Sequence, residues 1–119
     1  MAGQIVFVDW RGDAMQREPN KLRPCVVIED HTFFDESFPN VLIVPLTDSS
    51  DFLIPSLTVA IDPSPENGCT KRSHAISHSI TVASKQRVLR PTSSRITAEQ
   101  LGQIRAQIAE CIGLASSQT

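Results

Sequence analysis

The sequence predicts a mainly β fold with one C-terminal helix: a small, strongly bent antiparallel sheet, or partly open barrel, of about five strands. Three observations carry this. Short apolar runs of strand length recur between turn-forming residues from Ile5 to Val82. No helix-length pattern separates them, so βαβ units and a parallel sheet are not expected. Residues 97–113 then switch to a helical period with a capping signature.

The elements follow in order. Ile5-Val6-Phe7-Val8 reads as the first strand, ending at the Asp9–Asp13 turn. Residues 9–22 are polar and contain Gly12 and Pro19, which predicts a long loop, and long loops in small domains commonly carry function. Leu22 to Ile28 is the second strand, with Pro24 near its start, where a missing N–H is tolerated. Residues 30–40 are irregular, with Phe33, Phe34 and Phe38 packing the connection down. Val41 to Leu46 is the third strand. Its near-continuous apolar character calls for burial on both faces, or on one face plus a subunit contact. Pro45 marks its end as an edge or bulge. Ser56 to Ile61 alternates and is the fourth strand. Ile76 to Val82 alternates again, with Ile76, His78, Ile80 and Val82 on one face of a fifth. Residues 85–95 are basic and irregular around Pro91.

Thr97-Ala98-Glu99-Gln100 fits the Ser/Thr-x-x-Glu/Gln capping box. Leu101, Ile104, Ile108 and Ile112 then recur on one face, and Gly113 stands where a left-handed cap is wanted, so the helix is placed at 98–112. At 119 residues the chain fits one domain of ~100–150 residues. We assign that domain to 1–114 and a frayed tail to 115–119. No apolar run approaches the ~20 residues of a membrane span, and the N-terminus lacks the basic and apolar regions of a signal peptide. The expected compartment is the cytoplasm. Cys25, Cys69 and Cys111 form no CxxC pair and are read as reduced thiols, Cys25 as a small core residue.

Net charge is −2, yet its distribution is uneven. Residues 29–66 hold eight acids and no Lys or Arg, whereas residues 71–95 hold six bases, Lys85 and Arg87 among them, and no acid. Either the surface is two-faced, or the segments interleave and the charges simply solvate. Gly-rich phosphate loops, GxSxG, HExxH and dinucleotide fingerprints are all absent. Cys69, His74 and His78 form one metal-like set, but the spacing fits no standard zinc site and a fourth ligand is missing, so no metal or cofactor is assigned.

Lys21-Leu22-Arg23-Pro24 opens a strand straight after the long polar loop, and Val44-Pro45-Leu46-Thr47-Asp48-Ser49 closes one with a hydroxyl and a carboxylate. If strands two and three pair antiparallel, Arg23 comes near Thr47. A guanidinium presents a planar fork to phosphate oxygens and stays charged near neutrality, and a neighbouring hydroxyl can donate a hydrogen bond. An Arg-Pro at a strand start can equally be plain surface.

Gly3-Gln4-Ile5-Val6-Phe7-Val8-Asp9, Arg23-Pro24-Cys25-Val26-Val27, Val41-Leu42-Ile43-Val44-Pro45-Leu46-Thr47 and the terminal Ile112-Gly113-Leu114, in that order, resemble the MazF/PemK (Kid) toxins of toxin–antitoxin systems. The resemblance covers residues 3–114. It implies an SH3-like barrel and a homodimeric, sequence-specific, metal-independent endoribonuclease that cuts single-stranded mRNA and is held inactive by a cognate antitoxin. It places the catalytic pair on Arg23 and Thr47. Trp10, Arg11, Arg17 and Lys21 of the long loop, with Asp48, Ser49, Lys85 and Arg87, are the expected substrate contacts. Trp10 either stacks on a base or packs at the barrel rim. His31 and Asp48 are the candidate acid/base groups. The family's acid after the fifth strand is replaced in Val82–Arg87, with Ser84 standing most nearly in its place. The alternative is a gyrase poison like the related CcdB toxins, or a non-catalytic nucleic-acid-binding module of the same fold. CcdB acts through a C-terminal Trp-Gly-Ile, whereas here the one Trp is Trp10.

Overall fold

The third strand organises the molecule. The computed structural model describes residues 2–9, 22–89 and 93–114. Among these the strands are β1 (Ile5–Asp9), β2 (Leu22–Val27), β3 (Asn40–Thr47), β4 (Thr58–Ile61), β5 (Ser73–Ile76), β6 (Thr81–Ser84) and β7 (Val88–Leu89), followed by helix α1 (Ala98–Cys111). All the pairings are antiparallel, and the sheet runs β4-β5-β3-β2-β1-β7 with β6 also on β3. β4 and β7 stand at opposite ends of that order, so the sheet is open rather than a closed barrel among the described residues.

β3 is long and apolar because both its faces are covered. Val44 and Leu46 join Ile5, Val26, Val59, Ile61 and Ile104 in the core beneath the helix. Val41 and Ile43 point the other way and pack with Val6, Val8, Cys25, Val27 and Ala83. Alternation along a strand sends neighbours to opposite faces, so a continuous apolar run fits a two-sided core. Val41 at 7% and Ile43 at 0% exposure are therefore covered within the chain.

The expected fifth strand at 76–82 is instead two strands and a turn. Between Ile43↔Thr81 and Leu46↔Ala75 the ladder advances three residues on β3 but six on its partner. The 3₁₀ turn Ser77–Ser79 takes up the excess. Ser77 is wholly buried there and donates to Gln107 Oε1 at 2.7 Å, while Gln107 Nε2 donates to the Thr58 carbonyl at 3.1 Å. The helix thus pins the break, and His78 sits exposed on the turn. Pro45 falls in the gap between the two ladders, so β3 runs past it to Thr47 instead of ending. Residues 85–89 also gain order as a 3₁₀ turn and β7.

The capping box forms as expected: Gln100 N donates to Thr97 Oγ1 at 3.0 Å and Thr97 N to Gln100 Oε1 at 2.9 Å. Gly113 takes φ 88°, which lets Leu114 N reach the Ala109 carbonyl. Ile104 is fully buried, but Ile112 is 65% exposed, because it lies beyond the last helical turn. The acid-rich and base-rich segments interleave through two ion pairs, Lys71–Asp48 at 3.2 Å and Arg72–Asp62 at 2.6 Å.

Cys25 is fully buried, and burial pushes its thiol from 9.0 up to about 12, against a smaller opposing pull from the Arg23 charge. The folded protein holds that proton more tightly than the unfolded chain does. This group therefore supports folding fully below the unfolded thiol range, and its contribution is lost as pH climbs toward 12. In the native protein at pH 8, dithionitrobenzoate should label exposed Cys111 readily and Cys25 only after denaturant is added. Equal labelling rates for the two would contradict the burial.

Candidate active site at the open end of the sheet

Cross-strand register builds this site. β2 and β3 pair Val27↔Ile43, Val26↔Val44 and Cys25↔Pro45. Two residues further, the same count sets Arg23 opposite Thr47. Directly opposed residues share a face of the sheet, with Cβ atoms ~4.5–5.5 Å apart in a regular ladder. On the far side of Thr47 stands His74 of β5, and beyond it Ala60 of β4. Arg23 is in turn opposed by Val8 of β1. One row thus crosses the sheet through Val8, Arg23, Thr47, His74 and Ala60, on the face away from the helix. Arg23 and Ala60 are exposed, and Thr47 and His74 half-buried.

Polarity rises along neighbouring strands in step. On β2 the same-face residues run Val27, Cys25, Arg23; on β3 they run Val41, Ile43, Pro45, Thr47. The apolar core therefore gives way to a guanidinium and a hydroxyl at the same end. Thr47 Oγ1 accepts from Ser49 N at 3.1 Å, and Ser49 Oγ accepts from Asp51 N at 3.1 Å, so two successive turns lead the chain off β3. That loop carries Phe52, 99% exposed and at φ 62°, a backbone region that bulky residues rarely adopt.

On the other face of the same strand ends lies a cavity of about 220 Å³, lined in part by Phe7, Pro24, Leu46, Asp48 and Lys71. Asp48 lies there with its carboxylate on the Lys71 ammonium. A larger cavity, about 550 Å³, sits at the opposite end of β3 and holds His31, Lys85 and half-buried Phe34. Lys85 Nζ donates to the Asp35 and Glu36 carbonyls at 3.3 Å.

The β2–β3 ladder ends at Cys25↔Pro45, and its register continued by two residues sets Arg23 opposite Thr47; Asp48 and Ser49 follow Thr47 in the chain. Within one chain the structure does not bring His31 or Lys85 to that pair. Ser84 pairs with Asn40, seven residues along β3 from Thr47, a separation of roughly 23 Å at ~3.3 Å per residue. Arg87 precedes β7, two strands from Arg23. Trp10, Arg11, Arg17 and Lys21 lie outside the described residues. Cys69, His74 and His78 do not converge, and among the described residues no three His, Cys, Asp or Glu side chains group as metal ligands. Sequence reasoning assigned His74 to that set and gave Phe52 no role. His74 comes opposite Thr47 only through the β3–β5 ladder, which is offset from the β3–β6 ladder by the intervening turn.

The sequence matches, over residues 1–112, the family model for PemK-like, MazF-like toxins of type II toxin–antitoxin systems. The chain belongs to this family. No curated protein matches the sequence. Solved structures similar to this MazF/PemK-family chain include the Mycobacterium tuberculosis toxin MazF-mt6, 16% identical over 92% of this chain and 96% of that one, with a TM-score of 0.67. A mycobacterial endoribonuclease in complex with its cognate antitoxin is 20% identical over 96% and 95%, with a TM-score of 0.71. MazF from Deinococcus radiodurans is 16% identical over 94% of each chain, with a TM-score of 0.70. The fold is theirs: an antiparallel sheet with a C-terminal helix. Among the described residues no helix is long and apolar enough to cross a membrane.

The Asp48–Lys71 pair is largely exposed, at 55% and 72%, so Asp48 is not expected to hold the scaffold together. Asp48→Asn should change unfolding free energy by no more than about 0.5 kcal/mol, read by urea denaturation. A loss above about 2 kcal/mol, well outside the surface-pair range, would show that the pair is structural.

Proposed function

We propose that this chain is a sequence-specific, metal-independent endoribonuclease that acts on single-stranded mRNA in the cytoplasm as the toxin of a toxin–antitoxin module. The observation that carries the reading is the β2–β3 register, which, continued two residues past Cys25↔Pro45, would set Arg23 against Thr47 on one face. Family membership supports it, as do similar folds named as endoribonucleases. The ribose 2′-hydroxyl attacks the adjacent phosphorus. The new O2′–P bond closes a cyclic phosphate, the P–O5′ bond breaks, and the 5′-oxygen leaves as a hydroxyl. The substrate carries its own nucleophile, so RNA is cut and DNA spared, and no metal-activated water is needed. Arg23 neutralises charge growing on the phosphoryl oxygens, and Thr47 donates a hydrogen bond to one of them. Phe52, on the loop that leaves β3, offers a surface for a flanking base to stack on.

Purified protein incubated with long RNA in EDTA, followed by end mapping, tests the reading. Cleavage leaving cyclic phosphate and 5′-hydroxyl ends is expected. Intact RNA together with gyrase trapped on DNA would replace this reading with the gyrase-poison one. Arg23→Ala should slow cleavage by roughly 10²–10³-fold, as loss of one preorganised donor does, and should leave the fold intact because Arg23 is exposed. Thr47→Val should lose less, and Thr47→Ser should keep the hydroxyl and most of the activity. Wild-type rates in Arg23→Ala would refute the assignment.

Assembly as a homodimer belongs to the same reading. Phe7 and Leu89 oppose each other on β1 and β7, at 37% and 51% exposure, and Leu22 lies near them at 47%. Contiguous exposed apolar side chains mark interfaces, and a two-fold dimer is the commonest closed arrangement. Similar folds include complexes with an antitoxin. An acidic antitoxin segment would compete with RNA for the same basic groups. Light scattering at micromolar concentration should give twice 13.1 kDa, and RNA affinity should fall as antitoxin is added. A mass near 13.1 kDa would refute the dimer, and full RNA affinity in the antitoxin complex would refute competition.

A further inference from the structure

We propose that His74 is a catalytic residue of this site, the general base that takes the proton from the attacking 2′-hydroxyl; the assignment rests on the ribonuclease reading above. Internal attack requires a proton acceptor, and among the described residues the other neighbouring groups are poorly suited to be one. Arg23 keeps its charge near neutrality and has no lone pair to offer. Thr47 Oγ1 is already accepting from Ser49 N. Asp48 follows Thr47, lines the cavity on the opposite face and is held by Lys71. His31 lies at the other end of β3.

His74 is opposed directly to Thr47, on the same face, while β2, whose register continued past Cys25↔Pro45 brings Arg23 to Thr47, lies on the other edge of β3. Adjacent strands are ~4.8 Å apart, so Arg23 and His74 flank Thr47 with roughly 10 Å between their backbones. A phosphodiester hydrogen-bonded to Thr47 then has the guanidinium on one side and the imidazole on the other. Ala60 opposes His74 on the next strand, and its methyl group leaves the ring approachable. Among the described residues the charged groups facing His74 are few. From β3 comes the neutral Thr47, with the Asp48–Lys71 pair just past it. From β2 comes Arg23. From the end of β4 comes Asp62, bound by Arg72 at 2.6 Å and held below the usual carboxylate range first by Arg72 and in smaller part by His74. His78 lies on the following turn. An imidazole is the side chain suited to accepting a proton near neutral pH. As O2′–P forms, the 2′ proton passes to the ring; as P–O5′ breaks on the Arg23 side, the 5′-oxygen takes a proton from water, and the imidazolium returns its own to solvent.

The test is single-turnover cleavage of an RNA oligonucleotide in EDTA across pH 5–9 by wild type, His74→Ala and His74→Gln. Wild type should lose rate toward acid pH; both variants should lose roughly 10²–10⁴ in rate, the range for a positioned base, and that acid limb should disappear. Both should bind the same oligonucleotide carrying a 2′-deoxy group at the cleavage site as wild type does, which separates lost chemistry from lost folding. Imidazole in the buffer should restore rate to His74→Ala. A substrate with sulfur at the 5′ bridging position, whose leaving group needs no proton, should not restore it. Wild-type rates in either variant, an acid limb that persists, or rescue by the bridging sulfur would each overturn the base assignment. If wild type itself leaves RNA intact, the ribonuclease reading falls and takes this role with it. If wild type cuts and the variants cut equally, the role of His74 alone falls.

Discussion

The structure depends on β3 being buried on both faces while paired along both edges. Val41 and Ile43 fill one core, Val44 and Leu46 the other. A one-residue slip would exchange these sets and carry Thr47 to the helix side, so the packing that secures the strand also secures the site. β3 pairs with β2 on one edge and with β6 and then β5 on the other. Every residue of the cross-sheet row is placed relative to Thr47 by those ladders.

The helix contributes at a distance. Ile104 seats it on the sheet, and Gln107 ties the buried Ser77 turn to the Thr58 carbonyl. That turn absorbs the extra residues between β6 and β5. Without it a continuous strand would keep the β6 register and bring a different residue opposite Thr47. Arg105 adds a second tie, donating to the Ile28 and Glu29 carbonyls where β2 ends. A polar residue deep under the helix is thus part of what presents His74.

Much of this was legible in the sequence, and the failures have physical causes. The helix was legible because capping box and period agree: Thr97, Gln100, Leu101 and Ile104 each do what local chemistry asks. β3 was legible because an apolar run of that length has few other uses. The break at Ser77–Ser79 was not, since Ile76, His78, Ile80 and Val82 alternate as a strand would, and only the long-range contact with Gln107 decides otherwise. Ile112 keeps the helical spacing but falls past the last turn, where spacing no longer implies burial. The Val41-Leu42-Ile43 run called for burial on both faces or a subunit contact; Val41 and Ile43 are covered by the chain's own second core, and the exposed apolar side chains include Phe7 on β1, Leu22 on β2, Val82 on β6 and Leu89 on β7. Arg23 and Thr47 could be paired from topology alone. His74 could not, because its place depends on the register shift, and spacing drew it toward Cys69 and His78.

The charge balance makes sense only in three dimensions. A chain of net charge −2 has little long-range attraction for a polyanion. Its acid-rich and base-rich segments meet, and Asp62 and Asp48 bind Arg72 and Lys71 next to the row. Those pairs are exposed and add little to stability. Their larger effect is local. They place carboxylates beside Lys71 and Arg72, the bases near His74. On the proposed ribonuclease reading, an RNA backbone arriving there would meet a guanidinium and a hydroxyl on a face that has just emerged from an apolar core. Close to that low-dielectric core, one well-placed charge counts for more than several mobile ones in water. On that reading, affinity would come from fit along the row more than from bulk charge.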